Sequence, residues 1–295
     1  MIIDSTEYRA SEVIKSIVNI NILLYQDFTF CYTAPIEETI QQKLLFRLRS
    51  VKYLDDLLAH KWNIAGVICS FDIADIVSKH FPVIASDEPE RLFWIIHNNL
   101  YRRNTIPSNF GEGCEISERA SISPFGISIG DHVVIEEFAV IREGVTIGNN
   151  TVIRAGCVIG GEGFQHYKDS QGVISIRHIG TVEIGDNVEI QYNSCVDKAL
   201  YKYMSTIIAD GVRIDNLVQI GHAAHLYKDV FAASGSVLGG YVEIKDGCFI
   251  GMNSSIRQHV IIGSDCLIGM NSAVIKNAGG GETISGFPAR TIEKK

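Results

Sequence analysis

The feature that most constrains this chain is a step of six residues. From Ile208 to Val274 every sixth position is Ile208, Ile214, Ile220, Leu226, Ala232, Leu238, Ile244, Ile250, Ile256, Ile262, Ile268 and Val274. An earlier block keeps the same step through Ile129, Ile135, Ile141, Ile147, Ile153 and Ile159. Ile116 and Ile122 lead into it, with one extra residue before Ile129. A period of six matches neither an amphipathic helix nor an alternating strand. It matches a parallel β-helix, in which short strands turn a corner every six residues. Three such sides make a coil of 18 residues, so positions 18 apart stack one strand spacing, ~4.8 Å, from each other. No single turn can bury its aliphatic face; a stack of turns buries a continuous column.

The 295 residues divide naturally into a small α/β domain over 1–106 and a β-helix over 107–295. Within the first part, GVICS (66–70) and PVIAS (82–86) read as buried strands. ERLFWIIHNNL (90–100) reads as a helix with Pro89 at its start. Val13–Leu24 and Glu37–Leu48 give no firm assignment. The six-residue step breaks near 160–178 and again near 197–207, where excursion loops are expected. A net charge of −8 argues against nucleic acid as the main partner. The opening MIIDSTEYRASEV lacks the pattern of a secretory leader, and no apolar run is long enough to span a membrane. Seven scattered cysteines without a CxxC read as reduced thiols of a cytoplasmic protein, most of them small fillers of the coils.

One stretch carries chemistry: Asp215-Asn216-Leu217-Val218-Gln219-Ile220-Gly221-His222. With Ile220 inward, His222 falls near a corner. One coil on lies Gly240, beside Gly239, and another coil brings Gln258-His259. The second excursion forms a wall one coil earlier. Acyl transfer from a thioester needs a base, an oxyanion donor and a groove for the pantetheine arm. A neutral imidazole, a glycine N–H and such a wall supply these. The competing reading for a lone histidine at a corner is a solvated structural residue. His225, three residues from His222, lacks the further ligands of a zinc site, so no metal is expected. Arg257, Lys276, Arg290, Lys294 and Lys295 make the last coils basic, suited to phosphates or simply to solvation. His166 and Tyr167 read equally as sugar-pocket lining or exposed loop.

The hexapeptide pattern resembles the left-handed β-helix acyltransferase superfamily; the handedness comes from that resemblance. IGGEGF (159–164), IGTVEIGDNVEI (179–190), VDKAL (196–200), TIIADGVRIDNLVQIGH (206–222) and the glycines 239–240 are similar to UDP-3-O-acylglucosamine N-acyltransferases. The resemblance implies His222 as general base, the Gly240 N–H for the oxyanion, and His259, with Gly239 and Arg257 nearby, for the acyl-donor arm. It implies substrate roles for Asp197, Asp215, Asn216 and Gln219, and a base-stacking role for Tyr53, whose upstream aromatic partner falls near Phe46. It further implies a nucleotide-linked amino sugar as acceptor, acyl-CoA or acyl carrier protein as co-substrate, no permanently bound cofactor, and a homotrimer. The chain departs from the family at Ala223, where Asn is usual, in a longer second excursion, and in ending on ISGFPAR without the family's helical extension. Transfer to a hydroxyl, or a non-catalytic β-helix scaffold, are the alternatives.

Overall fold

The computed structural model describes residues 6–34, 42–59 and 63–292. Lys294, Lys295 and the segment 37–41 lie outside the described residues. The chain forms two compact units: 1–102 with 164–177, and 103–163 with 178–295. The first excursion therefore groups with the N-terminal unit, which a division by sequence at residue 106 does not anticipate.

The main sheet of the N-terminal unit has five strands: β1 (Ile22–Leu24), β2 (Tyr32–Ala34), β3 (Leu44–Arg47), β4 (Ile64–Ser70) and β5 (Val83–Ser86). Their order is β1-β5-β4-β3-β2, with only β1 antiparallel. Helix α1 (Phe71–Val77) connects β4 to β5, and α2 (Pro89–Asn99) follows. Pro89 opens α2 because its missing N–H would have no helical acceptor there. The helix buries Leu92, Phe93, Trp94, Ile96 and His97. Its other residues hold a β-hairpin, His166–Asp169 paired with Gly172–Ser175. Arg91 reaches Asp169 at 2.9 Å, and Asn98 exchanges hydrogen bonds with Ser175 O (3.0 Å) and Arg177 N (2.9 Å). Buried His97 sits between Thr33 Oγ1 at 2.7 Å and Arg177 O at 2.9 Å. His166 is exposed and Tyr167 half-buried in this hairpin.

The second unit is a left-handed parallel β-helix of three sheets with eight, eight and ten strands. Its first face runs from Ser121–Ile122 to Ala273–Val274, its second from Asn109–Phe110 to Ile261–Ile262, and its third from Glu115–Ile116 to Arg290–Ile292. All twelve aliphatic positions of the long block are buried, from Ile208 at 0% to Ala232 and Val274 at 2% exposure. Register follows the coil: Ile208 pairs with Leu226, Ile214 with Ala232 and Ile220 with Leu238. Cys157, Cys248 and Cys266 sit in the same core. Burial pushes the Cys157 and Cys248 thiols up to about 11, so both stay neutral fillers. Among the described residues no helix is long and apolar enough to cross a membrane.

The column predicts its own weak points. Ile244→Ala, at a fully buried position, opens a void inside the stack and costs about 2–5 kcal/mol. Ile261→Ala, at a position 38% exposed, changes stability far less. Urea midpoints of the two variants check the difference.

Candidate active site

Each coil has three corners, and they are chemically unlike. At the corner between the second and third faces, side-chain oxygens from one coil cap backbone amides of the coil before. Asp131 caps Glu112 N, Asn149 caps Asp131 N, Asp186 caps Asn149 N and Asp210 caps Asp186 N, at 2.6–2.8 Å. Asp246 caps Lys228 N further along. This ladder satisfies polar groups that the turn would otherwise leave facing outward.

The corner between the first and second faces has a different content. There the strand Val158–Gly161 gives way to the first excursion before Thr181–Ile184. Likewise Cys195–Asp197 gives way to the second excursion before Ser205–Ile208. Strand pairing thus takes back Asp197 and Ser205–Ile207 from the loop expected over 197–207, leaving 198–204. That loop folds onto the end of the first excursion: Ile179 N donates to Leu200 O and Gly180 N to Ala199 O, at 3.1 and 2.9 Å. His222 occupies the same corner one coil further on.

His222 and Gly240 are neighbours, as the spacing of 18 requires. A Cβ on Gly240 would lie 2.7 Å from His222 Nε2 and 2.8 Å from its Cε1. Only glycine lets the imidazole sit there. Gly240 is itself buried, and its N–H donates to no described group while its carbonyl accepts from His259 N at 3.0 Å. An amide left unpaired beside an imidazole is what an oxyanion needs. Burial, followed by the proximity of His178 and His259, brings His222 down to about 4. It is therefore a neutral acceptor at pH 7.

His259 belongs to the adjacent column. Its true stacking partners are Ala223 and Tyr241, and all three corner residues have positive φ, at 60°, 54° and 59°. A β-carbon in that left-handed region costs roughly 1–2 kcal/mol, so the coil geometry imposes it. Tyr241 stands between the two histidines. It meets His222 edge-on at 5.2 Å and stacks on His259 at 4.7 Å. Sequence reading did not single out Tyr241, because an aromatic after two glycines carries no chemistry of its own. Arg257 and Gln258 lie exposed beside His259, and Gly239 passes close to the Gln258 backbone.

Beside the imidazole lies a charged group that no spacing in the chain brings together. Glu162 and His178 bracket the first excursion. His178 N donates to Glu162 Oε2 at 2.8 Å, and Lys198 Nζ is 3.9 Å from the other carboxylate oxygen. Burial raises Glu162, but His178 and Lys198 outweigh it and hold the carboxyl down at about 2. His178 is fully buried and meets His222 edge-on at 5.1 Å. Asp197 accepts from Gln219 Nε2 at 2.9 Å, and burial lifts its carboxyl to about 6 despite that bond. The excursion interrupts the six-residue count, so no spacing rule places His178 beside His222.

The remaining expected residues are elsewhere. Asp215 and Asn216 sit at the corner between the third and first faces, at the far end of the Gln219–Ile220 strand from His222. Asp215 caps Asn216 N at 2.7 Å and Ser234 N at 3.1 Å and accepts from the Ser234 hydroxyl, which holds its carboxyl low. His225 stacks on Tyr227 at 3.6 Å. In the N-terminal unit Tyr53 ends a short 3₁₀ turn, 40% exposed, with the Lys52 ammonium 4.7 Å from its ring centre. Phe46 is fully buried in β3, so it offers no face to a base.

Comparison with known proteins agrees with this architecture. The bacterial transferase hexapeptide (six repeats) model matches residues 126–161 and 241–276. Hexapeptide repeats are thus matched in those two segments of the coils. Over 152 residues, 52% of the chain, it is 41% identical to UDP-3-O-acylglucosamine N-acyltransferase 2 of Legionella pneumophila (strain Philadelphia 1), covering 43% of that protein. Over 209 residues, 62% of the chain, it is 34% identical to the UDP-3-O-acylglucosamine N-acyltransferase of Desulfotalea psychrophila, covering 60% of it. The matches thus span about half the length of these curated relatives. A solved UDP-N-acetylglucosamine acyltransferase from Bacteroides fragilis shares the fold, with a TM-score of 0.51 at 21% identity over 65% of this chain and 71% of that one.

Two variants test the corner. Gly240→Ala drives a methyl into the imidazole, so the His222 ring resonances move in NMR spectra while the melting temperature of the coils holds. Asp197→Asn tests the burial of a carboxylate. The native carboxyl titrates near 6 and the unfolded one near 3.9, so the folded state binds the extra proton and stability falls as pH climbs through that window. Asn removes the penalty, giving a gain at pH 7.5 of at most about 3 kcal/mol that vanishes near pH 4. Urea midpoints at the two pH values check it.

Proposed function

We propose that the chain is an N-acyltransferase that moves an acyl group from a pantetheine thioester to the amine of a nucleotide-linked amino sugar. The observation that carries this reading is the pairing of a half-buried, neutral His222 with the unpaired N–H of Gly240 at the corner where both excursions leave the coils. Similarity of the coils to UDP-3-O-acylglucosamine N-acyltransferases supports the acceptor class.

In this reading the acceptor amine attacks the thioester carbonyl while His222 takes its proton. The carbonyl electrons move to oxygen, where the Gly240 N–H meets them. Collapse of the tetrahedral species breaks the C–S bond, and the imidazolium returns the proton to the leaving thiolate. Gly239, Arg257 and His259 hold the donor arm, which belongs to coenzyme A or to an acyl carrier protein. Gln219 and Asp197 face the acceptor from the first face, with Asp215 and Asn216 at its far corner. Tyr53 offers a half-exposed ring to the nucleotide base, which supports nucleotide binding by the N-terminal domain. No permanent cofactor enters the scheme. Phe231, Phe249 and Leu267 stack one coil apart on the third face, each 45–47% exposed, which supports association into a homotrimer. We place the reaction in the cytoplasm, in keeping with seven free cysteines.

The test is release of free thiol from acyl-CoA and acyl carrier protein thioesters, crossed with nucleotide amino sugars and their hydroxyl analogues. His222→Ala loses about 10²-fold or more in rate with its melting temperature retained. A variant as active as wild type overturns the assignment of the base. A wild type inert across the panel returns the chain to the scaffold reading. Preference for the hydroxyl analogues makes it an O-acyltransferase.

A further inference from the structure

His178 has no role in the scheme above, yet its placement is demanding. The ring is fully buried, and neither ring nitrogen has a hydrogen-bond partner among the described residues. Glu162 Oε2 stands just beyond bonding range of Nδ1, at 3.6 Å, while accepting from the backbone N–H of the same residue. A Cβ on Gly163 would lie 2.6 Å from Nε2, so that position too is kept clear for the ring. A buried imidazole with unpaired nitrogens costs free energy that packing alone does not return. Its nearest aromatic neighbour is the proposed base, His222, with ring centroids 5.1 Å apart.

We infer that His178, fixed by Glu162, is a positioning residue that acts through His222: the buried imidazole of His178 and the half-buried imidazole of His222 form a coupled pair, and His178 helps to keep His222 neutral and available as base. The inference rests on the acyl-transfer reading of this site. Its physics is simple. Two imidazoles about 5 Å apart cannot both carry a proton without mutual repulsion, and burial leaves little solvent to screen it. The other charged and titratable groups that face the pair are few. Glu162, Lys198 and Asp197 face His178. Tyr241 and His259 face His222. Tyr241 carries no charge near neutral pH, and His259 is exposed on its far side. His178 is therefore the buried group best placed to oppose a proton on His222, in keeping with the low value at which His222 titrates.

The experiment is a histidine NMR titration of the intact chain without substrate, with the His222 signal assigned through His222→Ala. In His178→Gln and His178→Asn, which keep a polar group but cannot be charged, the His222 midpoint rises by between about 0.6 and 2.4 pH units. That is the range Coulomb's law gives for unit charges at this separation in water and at a protein surface. An unmoved midpoint in a folded variant overturns the inference. Should neither variant fold, the wild type decides. Coupling makes the His222 curve depart from a single-site shape, and a clean single-site curve overturns it. The thiol-release assay run beside the titration separates the two readings. An inert wild type with coupled histidines sinks the acyl-transfer reading alone. An active enzyme with uncoupled histidines sinks this inference alone.

Discussion

The structure depends on one repeated contact: an aliphatic side chain resting on its counterpart from the next coil, about one strand spacing away. Every inward position from Ile208 to Val274 makes it, and no coil could stand without the coils on either side. Because the contact fixes register at 18 residues, it also fixes which surface groups meet. Gly240 lies against His222 because Leu238 lies on Ile220. The catalytic geometry proposed here is thus a by-product of core stacking, and it inherits the rigidity of the core.

The corners show how the same scaffold separates stability from chemistry. Where Asp and Asn cap the amide of the preceding coil, the backbone is satisfied and nothing remains to bind. Where the excursions leave, the Gly240 amide stays unpaired and a histidine takes the space of a missing side chain. An unpaired buried amide costs stability unless a ligand meets it. Rigid coils above and below keep the turn from closing on itself, so the amide remains open to a developing negative charge.

Much of this was legible in the sequence. The six-residue step gives the inward residues, the stacking of His222 with Gly240, and both interruptions of the coil. Spacing fails where the chain leaves the coil. Nothing in the excursion's composition says that it is a hairpin docked on α2 through Arg91 and Asn98. Nor does it say that Glu162 and His178 meet again at its base. His259 shows a finer failure. Counting by 18 puts it with Ala223 and Tyr241 and not with His222, a one-residue offset that matters because Tyr241 fills the space between. Asp215, in the same matching segment, also caps the amides of Asn216 and Ser234, which spacing alone does not announce.

In its proposed role as base, His222 is neutral and ready at pH 7, but a group brought down to about 4 is also a weak proton acceptor. The tension resolves if its environment changes when substrates arrive. Burial is the leading cause of the low value, and it penalises an isolated cation. In the reacting complex the imidazolium would not be isolated, because the oxyanion forms next to it at Gly240 as the proton is transferred. The same low-dielectric surroundings that disfavour His222 as a lone cation strengthen its attraction to that negative charge. In the proposed reaction, burial thus protects the resting base from protonation and stabilises the ion pair made as the transition state forms, which is where stabilisation accelerates a reaction.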